Sequence, residues 1–249
     1  MIELNKIYNI DCLLGMKDIE DKTIDFICCD PPYGQTSQDW DKIIDFKSLW
    51  LEYKRIIKNN GVICIFGQEP YSSYVRLSNI EDYKYDWYWV KERLTNVFQV
   101  KRRPGKVVET ISVFYKDQCK YFPQKTTYDG VLRTNKIKDG KLGKLVDNNE
   151  NKPNEYKDDR TRFPTQILNF NRDILTSNLH PTQKPLALLE YLVKTYTEEN
   201  DIVLDNCAGS GTTLIAAENL KRKWIGIEKE EKYCEVIKKR FIDNNIQIL

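Results

Sequence analysis

Apolar residues along this chain fall into two patterns: short unbroken runs, and stripes spaced three or four residues apart. The runs are rich in β-branched and aromatic residues and stop at polar or turn-forming positions. They cover residues 2–9, 23–30, 61–66, 87–90, 109–115, 165–170, 201–205 and 223–227. Short runs without polar alternation read as strands buried on both faces. Between them, helical spacing covers residues 46–58 (Leu49, Trp50, Tyr53, Ile56, Ile57), 69–79, 186–197, 214–220 and 230–244. Asn59-Asn60-Gly61 reads as the C-cap of the first of these helices. Alternating strands and helices predict an α/β fold, a mostly parallel sheet with helices on both faces.

Several predicted strands end at an acid, and open α/β sheets bind ligands at the carboxyl ends of their strands. Asp30-Pro31-Pro32-Tyr33 follows the second run. Two prolines stiffen the backbone and remove two N–H donors, which leaves their carbonyls as uncontested acceptors. A carboxylate, a free carbonyl and an aromatic face suit a planar group with an amino substituent, such as a nucleobase. Strand 201–205 ends at Asp205 and continues as Asn206-Cys207-Ala208-Gly209-Ser210-Gly211-Thr212-Thr213, then a helix, then a strand with Glu228 at its end. The glycines let backbone approach a ligand, and the second acid can hold ribose hydroxyls. Leu214 stands where a dinucleotide site needs a third glycine, which counts against NAD or FAD. Asp11-Cys12 ends the first strand, where Asp11 suits a turn or a helix N-cap. The polar segment 34–41 contains Trp40, either a packing anchor or a wall of the pocket.

Composition narrows the classes further. The chain has 249 residues and a net charge of only +2, so affinity for nucleic acid must come from local patches. One such patch holds Lys101, Arg102, Arg103 and Lys106; another holds Arg133, Lys136 and Lys138. Each can be a solvated surface or a phosphate contact. Seven cysteines without a Cys-x-x-Cys, and a single histidine, argue against a disulfide framework and a metal site and fit a reducing cytoplasm. Nothing resembles a signal peptide or a membrane span. Periodicity fades between about residues 119 and 170. That predicts a two-part domain, 1–118 and 171–249, interrupted by an insertion at 119–170.

Asp30-Pro31-Pro32-Tyr33, His180-Pro181-Thr182-Gln183-Lys184-Pro185 and the 205–213 loop, in that order, resemble the permuted β-group of DNA amino-methyltransferases, of N6-adenine type. The resemblance covers nearly all of the chain outside residues 119–162. It implies a circularly permuted Rossmann-like methyltransferase fold, S-adenosyl-L-methionine as cofactor and double-stranded DNA as partner. It leaves a cognate restriction endonuclease and a homodimer open. It assigns Asp30, Pro31, Pro32 and Tyr33 to catalysis. Asp205, Gly209 and Gly211 would surround the methionine part, with Asp30, Cys12, Cys207, Ala208, Ser210, Thr212 and Thr213 alongside. Glu228 would hold the ribose and Asp11 the adenine. His180, Thr182 and Lys184 would lie against the cofactor, the last two on its carboxylate. Trp40 and the basic patches would contact DNA, and the insertion would select the sequence. Many members carry Asp-Pro-Phe where this chain has Asp205-Asn206-Cys207. N4-cytosine or RNA-adenine methylation, and an inactive nucleic-acid-binding subunit, are the competing readings.

Overall fold

The computed structural model describes residues 2–35, 40–130, 159–173, 183–244 and 246. In chain order the elements are β1 (Lys6–Asn9), α1 (Cys12–Gly15), β2 (Ile24–Cys29), α2 (Phe46–Ile56), β3 (Ile57–Gly67), α3 (Tyr71–Ser78), β4 (Tyr83–Val90) and β5 (Val108–Phe114). There follow β6 (Thr126–Thr127), β7 (Thr161–Arg162), β8 (Ile167–Asn169), α4 (Leu186–Tyr196), β9 (Ile202–Asp205), α5 (Thr212–Asn219), β10 (Lys223–Glu228) and α6 (Glu231–Asp243). They form two units, one of residues 1–122 with 165–249, the other of residues 123–164. In the smaller unit β6 and β7 pair antiparallel, and the Arg162 guanidinium lies 4.2 Å from the Tyr128 ring centre.

The larger unit is built on an eight-stranded sheet in the order β1-β10-β9-β2-β3-β5-β4-β8. Every neighbouring pair is parallel except those made by β5, which runs against both β3 and β4. This is the mostly parallel α/β sheet that the alternation predicts. All six residues of β2 are buried, because helices cover both faces. On β3, Val62, Cys64 and Phe66 point into one core with α4, α5 and α6. Ile63 and Ile65 point into the other, with Leu49, Trp50, Tyr53 and Ile56 of α2. No helix among the described residues is long and apolar enough to cross a membrane.

Local chemistry sets several boundaries. The Asp45 carboxylate accepts the Ser48 N–H at 2.8 Å and caps α2. The expected cap at Asn59-Asn60-Gly61 is corrected: α2 ends at Ile56, and these three residues lie inside β3. Gly61 sits beside the register shift between β2 and β3, where a Cβ would come within 2.9 Å of the Asp25 carbonyl oxygen. The glycine permits close backbone approach there, not a helix end.

Candidate active site

The sheet order reverses between β9 and β2, which are adjacent parallel strands leading to helices on opposite faces. Such a switch point opens a crevice at the carboxyl ends. Ile27 pairs with Leu204, so Asp205 stands level with Cys28, and Asp30 lies just beyond it. Glu228 ends β10 one strand further out, and Asp11 follows β1 beside that. One cavity of about 1030 Å³ is lined by Asp30-Pro31-Pro32-Tyr33 and by the Gly209 turn together.

One half of this cavity is acidic. Asp205 is buried, and its Oδ1 accepts the Cys207 N–H at 3.1 Å. Burial pushes its pKa up to about 7; hydrogen bonds from Thr213 and Cys207 work against the rise, while Asp30 and Glu228 add to it. Glu228 accepts the N–H groups of Gly209 and Glu230, both at 2.8 Å, and burial raises its pKa. Gly209 and Gly211 both have positive φ, 52° and 74°. A Cβ on Gly211 would also lie 2.7 Å from the Ile237 side chain, so the turn needs glycine twice over. Arg240 of α6 braces the turn from behind, donating to the Ser210 carbonyl and, at 3.0 Å, to Thr212 Oγ1. The departure at 206–207 has a clear packing solution. Asn206 is buried and accepts the Tyr53 hydroxyl at 2.6 Å, and Cys207 faces the cavity with Cys12 and Ala208. Ser210, Thr212 and Thr213 line the same wall.

The other half is a chain of alternating charges. Asp30 Oδ1 accepts the Tyr33 hydroxyl at 2.5 Å, and Asp30 Oδ2 accepts from Lys184 Nζ at 2.5 Å. Lys184 Nζ lies 3.5 Å from Glu109 Oε2. Glu109 in turn pairs with buried Lys91 and accepts Gln68 Nε2 at 2.8 Å. Burial alone would lower the Lys184 pKa, but the Asp30 and Glu109 carboxylates outweigh it and the value rises. Burial pushes Glu109 up, yet Lys184 and Lys91 bring it below the ordinary glutamate value. Burial wins at Lys91, which falls. Burial and the Asp30 charge drive the Tyr33 hydroxyl well above its ordinary pKa, so it stays protonated as a donor. The Tyr33 ring centre lies 5.0 Å from that of Tyr71. Asp41 closes the following loop by accepting the Gly34 and Gln35 N–H groups at 2.8 and 2.9 Å.

The expected site residues separate accordingly. Asp30, Pro31, Pro32, Tyr33, Asp11, Cys12, Asp205, Glu228 and Trp40 all line the cavity. Asp11 is also the N-cap of α1, accepting the Leu13 N–H at 3.0 Å, and Lys229 Nζ is 3.7 Å from it. Gly211 does not line the cavity; it shapes the turn that does. Lys184, expected on the cofactor carboxylate, lines the cavity with its ammonium paired to Asp30 and Glu109. Arg103 and Lys106 line the cavity, while Lys101 and Arg102 are exposed on the turn beyond. His180, Thr182, Arg133, Lys136 and Lys138 lie outside the described residues. Sequence reasoning missed Lys91, Glu109 and Arg240. A lone acid in the β5 run and a lone arginine on the Cys234, Ile237, Phe241 stripe were the available signals.

The acidic half fits S-adenosyl-L-methionine. Buried carboxylates suit a cationic ligand with ribose hydroxyls, and the glycine turn admits it against backbone. Gln183 Oε1, also facing the cavity, is buried with no hydrogen-bond partner among the described residues, an acceptor left for a ligand N–H.

The N6/N4 methyltransferase family, described as DNA methylase, matches residues 24–239. The type II methyltransferase M.HinfI of Haemophilus influenzae is 29% identical, over 99% of this chain and 72% of its own. The DNA adenine methyltransferase YhdJ of Escherichia coli (strain K12) is 29% identical, over 94% and 81%. Among solved structures, the M1.HpyAVI–SAM complex aligns with a TM-score of 0.62 at 29% identity, covering 94% of this chain and 98% of that one. The cytosine-N4-specific PvuII DNA methyltransferase aligns at 0.68, covering 97% and 88%, but at 19% identity it shares only the fold. With both motifs on one cavity and the family match spanning most of its length, this chain belongs to the N6/N4 DNA methylases, S-adenosyl-L-methionine-dependent DNA methyltransferases.

Proposed function

We propose that the protein methylates the N6 amino group of adenine in double-stranded DNA. The observation that carries this reading is the fixed Asp30 carboxylate, held by Tyr33 and Lys184 in the cavity that the Gly209 turn also lines. The Asp30 start of the motif favours adenine over cytosine. A relative named as a DNA adenine methyltransferase, 29% identical, supports the same choice.

An exocyclic amine on a purine is a weak nucleophile, because its lone pair is delocalised into the ring. Asp30 accepts one N–H of that amine and the Pro31 carbonyl accepts the other, which draws the nitrogen toward tetrahedral geometry. Tyr33 stacks on the base, and its hydroxyl keeps Asp30 oriented. When bound in the acidic half, S-adenosyl-L-methionine would supply an electrophilic methyl group on a sulfonium, for direct in-line transfer in which the sulfur–methyl bond breaks, the nitrogen–methyl bond forms and the surplus proton of the amine leaves by way of Asp30. Asp205 and Glu228 hold its positive charge and its ribose, with Asp11 toward the adenine. Holding two reactants in contact supplies much of the rate. The target atom is out of reach within a duplex, so the base must leave the stack. Lys101, Arg102, Arg103 and Lys106 contact phosphates, Trp40 walls the target side, and the insertion chooses the sequence.

The test is mass analysis of nucleosides from DNA treated with the wild type and with Asp30→Ala. The expected result is N6-methyladenine from the wild type and none from the variant, with cofactor binding retained. N4-methylcytosine from the wild type overturns the base assignment. Near-normal transfer by the variant overturns the role of Asp30.

A further inference from the structure

Between β4 and β5 the chain makes a long excursion with a 3-10 turn at Val97–Gln99. Phe98, at its centre, is 103% exposed, against 71% for the next most exposed large apolar side chain among the described residues. Val97 and Val100 beside it are exposed as well. Leaving a phenylalanine in water forgoes the hydrophobic gain of burying it.

The turn is nevertheless well tied. At its base the Lys106 N–H donates to Asn96 Oδ1 at 2.6 Å and the Thr95 N–H to the Lys106 carbonyl at 2.9 Å. Across the tip the Arg102 and Arg103 N–H groups donate to the Gln99 carbonyl at 2.8 and 3.0 Å. Phe98 is therefore presented on a braced loop.

Two surroundings say what covers it. Residues 93–108 contain five cations and no acid. Cores of protein–protein contacts are poor in charge, whereas a single aromatic ring among cations suits a polyanion with stacked bases. The inner side of the same loop, Leu94 to Asn96 with Arg103 and Lys106, lines the cavity that holds Asp30 and Tyr33. The exposed ring thus belongs to a loop whose other residues line the cavity that would receive a target base.

We propose that Phe98 is a wedge: it enters the DNA stack as the target base leaves, fills the gap, and is held in register by Lys101, Arg102 and Arg103 on the flanking phosphates. This rests on the reading of the protein as acting on an extruded base in DNA. Apolar side chains that part base steps are an established physical device, and extrusion leaves a hole in the stack. Phe98 is a positioning residue; it does not touch the reacting amine.

The experiment uses the full chain and a duplex carrying the site found by sequencing DNA from an expressing host. A second duplex has an abasic residue opposite the target, which lowers the work of extrusion. For Phe98→Ala, kcat/KM on the intact duplex is expected to fall roughly tenfold to a hundredfold. On the abasic duplex most of that loss is expected to disappear, and Phe98→Trp is expected to keep activity on both. Cofactor affinity and melting temperature should stay at wild-type values. A wild type that methylates neither duplex overturns the DNA reading itself. A wild type active on both, with Phe98→Ala impaired equally on both or on neither, overturns the wedge alone. A variant that loses self-association but keeps duplex turnover assigns Phe98 to a contact between copies, and also overturns it.

Discussion

Lys184 Nζ lies 2.5 Å from Asp30 Oδ2, so the acid that follows β2 is held by a lysine 154 positions later in the chain. The same ammonium reaches Glu109 on β5, which makes one buried cation common to two carboxylates. Lys184→Met removes a charge-assisted hydrogen bond from Asp30 but leaves Glu109 with Lys91 and Gln68. The expected result is a fall in kcat of roughly tenfold to a hundredfold, at a stability cost of about 1–3 kcal/mol. Cofactor affinity should change by no more than about twofold, since the lost contact is to the acid. Single-turnover rates and calorimetry separate the two. A large loss of cofactor affinity at unchanged kcat would return Lys184 to the cofactor carboxylate.

Asp205 gives a pH dependence of defined sign. Burial pushes it up to about 7, with Glu228 and Asp30 adding to the rise, so below pH 7 the ligand-free protein holds it mostly neutral. A cationic ligand prefers the ionised form. Cofactor binding must then expel a proton, and affinity should fall as pH drops from 8 to 6, approaching tenfold per unit below about pH 7. Calorimetry in buffers of different ionisation heat at pH 6.5 reads the proton directly. Asp205→Asn should bind more weakly at pH 8 and lose this part of the pH dependence. A wild-type affinity that stays flat across the range excludes the linkage.

Sequence and structure part company where charge is buried. The strand ends were legible because runs such as Ile24–Cys29 are buried on both faces and stop at an acid. The ligand crevice followed from those ends. Gly61 was misread because β3 starts directly after α2, so a glycine that permits close approach to Asp25 looked like a helix stop. Glu109 and Lys91 carry no motif; their partnership depends on β4 and β5 pairing antiparallel, with Trp89 opposite Glu109 and Val90 opposite Val108. A pairing between distant strands is invisible to local pattern, and so is the contact between α6 and the glycine turn.

That contact is testable. Arg240 is buried and donates to the Ser210 carbonyl and to Thr212 Oγ1, so it fixes the turn without facing the cavity. Arg240→Met keeps much of the volume and removes the donors. Cofactor affinity should fall roughly tenfold and stability by about 1–3 kcal/mol, with kcat at saturating cofactor nearly unchanged. Denaturant unfolding and calorimetry measure the two effects. Normal affinity in a destabilised variant would make Arg240 a packing residue only.

Tyr33 performs two tasks that substitution can separate. Its hydroxyl donates to Asp30 Oδ1, and its ring lies beside Tyr71 and lines the cavity. Tyr33→Phe loses the hydrogen bond and keeps the ring, so kcat should fall by about tenfold or less. Tyr33→Ala loses both and should fall a further tenfold or more, because an extruded base then has no stacking surface, a contact of about 1–3 kcal/mol. With 2-aminopurine at the target position, the phenylalanine variant should keep the fluorophore quenched by stacking, while the alanine variant should brighten it. Equal losses in both variants, with equal fluorescence, would assign the whole effect to the hydroxyl and leave the ring with no role beyond its contact with Tyr71.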